Sequence, residues 1–141
     1  MANTILVVED AAEIQEIWRR VLMQAGYEVL QAGDGAEGVR LARQHEPDLI
    51  VMDVTLPVLD GISAVRELKA DPLTAEVPVI FVSGEAFAAR PARAAGGAMF
   101  LAKPVRAADL LAAIAGTIGQ MAGRDARRST QTAADQAADK S

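Results

Sequence analysis

Leu49-Ile50-Val51-Met52-Asp53 is the stretch that decides the fold: four apolar residues in unbroken succession, led in by Pro47-Asp48 and closed by a carboxylate. Continuous apolarity belongs to a strand buried on both faces, and such strands occur in parallel sheets covered by helices on both sides. The same form recurs in both directions along the chain. Ile5-Leu6-Val7-Val8 runs into Glu9-Asp10, Val79-Ile80-Phe81-Val82 runs into Ser83, and Ala98 to Ala102 runs into Lys103. Glu28 to Ala32 is the remaining strand and ends in Gly33-Asp34-Gly35, a turn with less chemistry to offer. Between the strands lie helical patterns. Ala12 to Ala25 places Ile14, Ile17, Trp18, Val21, Leu22 and Ala25 on one face, and Gly26 stops it. Gly35 to His45 turns Val39 and Ala42 inward and is closed by Pro47. Ser63 to Ala70 is short, with Val65 and Leu68 inward. Ala88 to Ala95 is a poor helix holding Pro91, and Ala107 to about Ile118 carries the stripe Leu110, Leu111, Ile114, Ile118. Strand and helix thus alternate through the chain. With right-handed crossovers, they give a three-layer α/β sandwich around a parallel sheet.

Composition agrees. A chain of 141 residues with 51% hydrophobic side chains can build one compact core. Residues 1–120 are read as that body. From 121 to 141 large apolar side chains almost vanish, so this stretch cannot offset its ordering entropy and is read as a mobile tail or linker. Arg124, Arg127 and Arg128 in it are read as a solvated cluster. The net charge of −5 argues against a nucleic-acid-binding body. With no cysteine and one histidine, His45, thiolate and multi-histidine metal sites are excluded. No apolar run is long enough to span a bilayer, and Met1-Ala2-Asn3-Thr4 lacks the basic start of a secretory signal. A cytoplasmic setting is expected.

Ligands of open α/β sheets bind beyond the carboxyl ends of the strands. There the sequence places Glu9, Asp10, Asp53, Ser83 and Lys103. Three neighbouring carboxylates repel one another unless a hard cation sits among them, and Mg²⁺ takes few carboxylates, a carbonyl and retained waters. A metal between Asp10 and Asp53 leaves one oxygen of Asp53 free as a nucleophile towards phosphorus. Lys103 and Ser83 then meet the phosphoryl oxygens. Taken singly, each residue has a plainer role. Asp10 to Glu13 has the form of a helix capping pair, Asp53 suits a loop cap, Ser83-Gly84 an ordinary turn, and Lys103 a solvated surface. The weight lies in their joint position at successive strand ends.

At these residues the chain resembles a response-regulator receiver domain of two-component signalling, of the single-receiver, chemotaxis-regulator kind. The resemblance covers roughly residues 4–118. It rests on Ile5 to Asp10, Ala32 to Gly38, Pro47 to Asp53, Leu56 to Gly61, Val77 to Ile80 and Phe100 to Pro104. It implies a five-stranded parallel sheet in the flavodoxin-like order 2-1-3-4-5. It implies Asp53 as the phosphoacceptor, taking phosphate from the phosphohistidine of a histidine kinase or phosphotransfer protein. Asp10 and the backbone carbonyl of Thr55 then ligate Mg²⁺ with Asp53, and Glu9 acts through a coordinated water. Ser83 and Lys103 pair with the phosphoryl group, and Phe100 is the aromatic switch that turns inward as Ser83 shifts. Thr55 and Glu85 tune hydrolysis of the acyl phosphate, and Lys103-Pro104 is expected to be cis. The resemblance implies a phosphoacceptor that catalyses only its own phosphotransfer and autodephosphorylation, not a turnover enzyme. It signals to a downstream protein, binds neither nucleic acid nor membrane directly, and is a monomer or a phosphorylation-dependent dimer.

Three features depart from the family pattern, and all fall on the expected output face. The segment from Ser83 to Lys103 is about two residues short, Ala98-Met99 stand where acids are common, and Gly84 stands where alanine is usual. A short or irregular fourth helix is expected. His45 is read as a helix C-cap, Trp18 as core, and Ala11 and Gln15 as the exposed helix edge on which a donor helix docks. The rival class is a Mg²⁺-dependent aspartyl-phosphate phosphohydrolase of the haloacid-dehalogenase type. It needs a second acid two residues after the nucleophile, where this chain has Thr55, and it needs a cap insertion. A nucleotide site fails for want of a glycine-rich loop after the first strand.

Overall fold

The computed structural model describes residues 2–121. Of the expected tail, residues 121–141, Met121 is still helical, and residues 122–141 with the three arginines lie outside the described residues. Strands β1 (Thr4–Val8), β2 (Glu28–Ala32), β3 (Leu49–Asp53), β4 (Val79–Ser83) and β5 (Met99–Ala102) form one parallel sheet in the order β2-β1-β3-β4-β5. Helices α1 (Ala12–Gln24), α2 (Gly35–His45), α3 (Gly61–Ala70) and α4 (Ala89–Ala94) connect them, and α5 covers residues 107–121. The flavodoxin-like order expected from the resemblance is the observed one.

Alternate residues of each buried strand serve opposite faces. Leu6, Val8, Ile50, Met52, Val79 and Phe81 pack with Val39 and Ala42 of α2 and Ala64, Val65 and Leu68 of α3. Ile5, Val7, Leu49, Val51, Ile80 and Val82 pack with Leu22 of α1 and Leu110, Ala113 and Ile114 of α5. Each fully buried aliphatic side chain stabilises the fold by about 1.5–3 kcal/mol, so this two-sided core fixes the register of the strands. Trp18 is half-buried against the second cluster, as read from the sequence.

Several local expectations are corrected. On α1, Ile17 is 56% exposed and Ala25 is exposed, so the helix turns a narrower stripe inward than the pattern implied. The helix does stop at Gly26, whose φ of +94° suits glycine. There the Gly26 and Tyr27 N–H groups donate to the carbonyls of Met23 and Leu22. The capping pair is not at Asp10 and Glu13: the N-cap of α1 is Ala11, with no side-chain cap. It sits on α2 instead, where Asp34 accepts from the Glu37 N–H at 2.7 Å and Glu37 accepts from the Gly33 N–H at 3.2 Å. Asp10 lies one residue ahead of the cap position and keeps its carboxylate for other partners. α3 begins two residues before Ser63, because Asp60 caps it by accepting the Ser63 N–H at 2.9 Å. The left-handed C-cap of α2 is Glu46, with His45 exposed in the last turn. The short fourth helix appears as expected: a 3₁₀ turn, Ala86–Ala88, followed by six residues of α4, with Pro91 in the first turn where it breaks no bond. The Lys103–Pro104 bond is cis.

Val58, in the loop after β3, has φ +67° and is 83% exposed. The Leu59 N–H donates across it to the Pro57 carbonyl at 2.7 Å, closing a γ-turn. A β-branched residue there carries a cost that no packing returns. Val58→Gly is expected to raise the unfolding free energy by about 1 kcal/mol, net of the glycine's greater entropy loss. Urea denaturation checks this; an unchanged or lower midpoint contradicts it.

Candidate active site at the carboxyl rim

Register builds the site. Val8 pairs with Met52, which sets Glu9 level with Asp53 as the chain leaves β1. Asp53 pairs with Val82 and Ser83 with Ala102, which carries Ser83 one step and Lys103 two steps beyond Asp53, on the same rim. The Lys103 N–H donates to the Ser83 carbonyl at 2.8 Å and holds the two outgoing loops together.

The acids and the lysine converge. Carboxylate oxygens of Glu9, Asp10 and Asp53 lie within 4.8 Å of one another. Glu9 and Asp53 are buried, while Asp10 is exposed. The Lys103 ammonium is 3.0 Å from Asp53 Oδ2 and 3.5 Å from Glu9 Oε2. Asp53 Oδ1 accepts the Thr55 N–H at 3.1 Å, and Glu9 Oε1 accepts the Ala11 N–H at 3.2 Å. Gly61 closes the floor: a Cβ there would overlap the Asp53 carbonyl, so only glycine lets the start of α3 pass this close. No signal beyond the Asp60-Gly61 turn marked that requirement in the sequence.

Burial and neighbouring charge together shift Glu9 and Lys103. Burial pushes the Glu9 carboxyl up to about 7, aided by its hydrogen bond with Asp53 and by the Asp53 charge; the Ala11 N–H and Lys103 pull the other way. Burial acts to lower the Lys103 ammonium, but the hydrogen bond and charge of Asp53, with those of Glu9, outweigh it and raise Lys103 above its ordinary value. A carboxyl raised in the folded state loses stabilisation as pH rises from its unfolded to its folded value. Metal-free protein is therefore expected to lose on the order of 2 kcal/mol of stability between pH 5 and 8, through Glu9. Glu9→Gln flattens that slope; chemical denaturation in chelator at both pH values checks it, and equal slopes for both proteins contradict it.

The remaining residues lie around this centre. Ser83 is buried, and its hydroxyl oxygen accepts the Glu85 N–H at 3.0 Å, which turns it into its own loop. The side chains of Thr55 and Glu85 are exposed at the rim. Phe100 is half-buried against the α2–α3–α4 side of the core. Gln15, expected at an open helix edge, is half-buried with its amide turned inward, and Ala11 is half-buried too. The donor set suits a hard divalent cation: three carboxylates of hard oxygen, two of them fixed by backbone N–H groups.

Fold and rim together define a doubly wound α/β domain with a carboxylate–lysine centre at the ends of its strands. The chain belongs to the response regulator receiver domain family, whose model matches residues 5–115. It is 37% identical over 86 residues to the chemotaxis protein CheY of Bacillus subtilis, spanning 60% of this chain and 72% of that one. It is 40% identical over 79 residues to PilH of Pseudomonas aeruginosa, spanning 56% and 65%. Among solved structures it resembles the receiver domain of a sensor histidine kinase of Pseudomonas aeruginosa PAO1. The TM-score is 0.79 at 36% identity, over 84% of this chain and 99% of that one. That structure has a magnesium ion coordinated in its active site cleft. A response regulator of Chloroflexus aurantiacus matches with a TM-score of 0.81 at 30% identity, over 84% of this chain and 99% of that one. The chain is thus a phosphoacceptor domain of two-component signalling, and the phosphohydrolase alternative is not supported. Two residues after Asp53 stands Thr55, where that class needs a second acid. Among the described residues no helix is long and apolar enough to cross a membrane.

Proposed function

We propose that Asp53 is the phosphoacceptor and that the donor is the phosphohistidine of a histidine kinase or phosphotransfer protein. The observation that carries this reading is the convergence of Glu9, Asp10 and Asp53 with Lys103 3.0 Å from Asp53. An Asp53 carboxylate oxygen attacks phosphorus, the P–N bond of the donor breaks, and the imidazole leaves. Asp10, Asp53 and the Thr55 carbonyl would hold Mg²⁺, with Glu9 acting through a water. The ion supplies neutralisation of charge on the transferring phosphoryl oxygens. Lys103 gives up its bond to Asp53 for the new phosphoryl oxygens. The Ser83 hydroxyl leaves Glu85 and turns to the same group, and Phe100 repacks behind it. Thr55 and Glu85, exposed beside the acyl phosphate, set how readily water reaches it during autodephosphorylation. The changed face around α4, β5 and α5 is read by a downstream protein, in the cytoplasm.

Incubation with radiolabelled acetyl phosphate tests the reading. One hydroxylamine-labile phosphoryl group per chain is expected, abolished by a chelator and restored by Mg²⁺. Label that survives hydroxylamine, or that forms equally well in chelator, contradicts it.

A further inference from the structure

The loop carrying Glu9 and Asp10 has no side-chain cap of its own, since Ala11 begins α1 without one. The Glu9 N–H continues the β1–β2 pairing by one bond, to the Ala32 carbonyl at 3.0 Å. Beyond that point the strand is finished, and the Glu9 carbonyl must find a partner elsewhere. It finds Gln15, one turn into α1, whose Nε2 donates to the Glu9 carbonyl at 3.2 Å and to the Ala32 carbonyl at 3.0 Å. Both partners are carbonyl oxygens, so the amide can face them only with its NH₂ group. The two N–H bonds of one amide thereby clamp the end of β1 to the end of β2. They also set the plane of the Glu9–Asp10 peptide, and with it the direction in which the Asp10 side chain leaves the chain. A second glutamine braces the clamp from behind: Gln31 Nε2 donates to the Gln15 carbonyl at 3.3 Å. The Gln31 amide donates to the helix backbone, whereas the Glu9 and Ala32 carbonyls are held by Gln15.

We infer that Gln15 is a positioning residue for the cation site, holding Glu9 and Asp10 in ligating geometry through the Glu9 carbonyl rather than by touching the ion. The inference rests on the reading of those acids as cation ligands given above. It separates Gln15 from an ordinary packing residue, because its loss frees the one peptide that joins the two acids. Outer contacts that orient metal ligands commonly control affinity without contacting the metal.

Calorimetric Mg²⁺ titration of wild type, Gln15→Met and Gln31→Met tests this. Methionine keeps the length and apolar volume of glutamine and removes both donors. Gln15→Met is expected to weaken Mg²⁺ binding by about tenfold, with Gln31→Met within about twofold of wild type. Equal affinity of Gln15→Met and wild type overturns the inference, and so does equal weakening in both variants, which marks a merely structural joint. A second measurement needs no variant. In wild type, Mg²⁺ is expected to shift the Gln15 side-chain amide resonances with the same midpoint as the Glu9 and Asp10 backbone amides, leaving the Gln31 side chain in place. A Gln15 amide that is solvent-averaged, or unmoved while Asp10 shifts, overturns the positioning role. Wild type that binds no Mg²⁺ at all overturns the cation-site reading beneath it and is distinguished by that result.

Discussion

Asp53→Asn is expected to abolish labelling by acetyl phosphate or by a phosphohistidine donor, down to the background of the unreacted protein. The reason is local and chemical. An amide oxygen is too weak a nucleophile to take a phosphoryl group, and no other acid at the rim stands in the same place. Glu9 is equally buried, but its carboxyl is pushed up to about 7 and its Oε1 is held by the Ala11 N–H. Asp10 is exposed and points from the loop rather than from a strand. The substitution keeps shape, so the fold is expected to survive: the Thr55 N–H still has an oxygen to donate to. One repulsive charge also leaves a site that holds three. Loss of label with an unchanged near-ultraviolet signal from Trp18 supports Asp53; undiminished label rules it out.

Lys103→Met is expected to separate two properties that the ammonium couples. Its Nζ lies 3.0 Å from Asp53 and 3.5 Å from Glu9, so it occupies carboxylate oxygens that a cation would otherwise use. Removing a competing charge at that distance in a solvated cleft is worth ~1 kcal/mol, so Mg²⁺ is expected to bind roughly fivefold tighter. Phosphotransfer is expected to fall roughly a hundredfold, because the positive group that meets the developing charge on the phosphoryl oxygens has gone. Parallel measurement of Mg²⁺ affinity and of the labelling rate at saturating Mg²⁺ checks both arms. Weaker Mg²⁺ binding, or a labelling rate equal to wild type, contradicts the role given to Lys103. The contrast matters because a lysine that served only to hold the fold would lower both quantities together.

The fold was legible because the apolar runs at 5–8, 49–52 and 79–82 are continuous and short, and each ends in a polar side chain. That pattern has one economical solution, and the two-sided core of the sheet is that solution. The strand-end residues could be read for the same reason: a parallel sheet places all its carboxyl ends on one rim. Finer features depended on three-dimensional competition for the same groups. Asp10-Ala11-Ala12-Glu13 and Asp34-Gly35-Ala36-Glu37 look alike as capping pairs, yet only the second is one. The first is drawn off by the strand register, which spends Glu9 on the rim and leaves Ala11 at the cap. Ile17 follows the apolar spacing of α1 but faces solvent, because only a narrow stripe that includes Trp18 and Leu22 packs against the sheet. Gln15 reads as surface in a polar helix edge, and only the geometry of two terminated strands gives its amide something to hold.

Phosphorylation at this rim requires Asp53 to keep a free oxygen beside a cation shared with its neighbouring acids. A crystal structure of the protein with Mg²⁺ and beryllofluoride, a stable mimic of the phosphoryl group, tests that directly. The expected result has beryllium bonded to an Asp53 oxygen and Mg²⁺ ligated by Asp10, Asp53 and the Thr55 carbonyl. Lys103 and the Ser83 hydroxyl are then turned from their present partners to the fluorides. Mg²⁺ bound away from these acids, or beryllofluoride attached elsewhere with Lys103 still on Asp53, would contradict it.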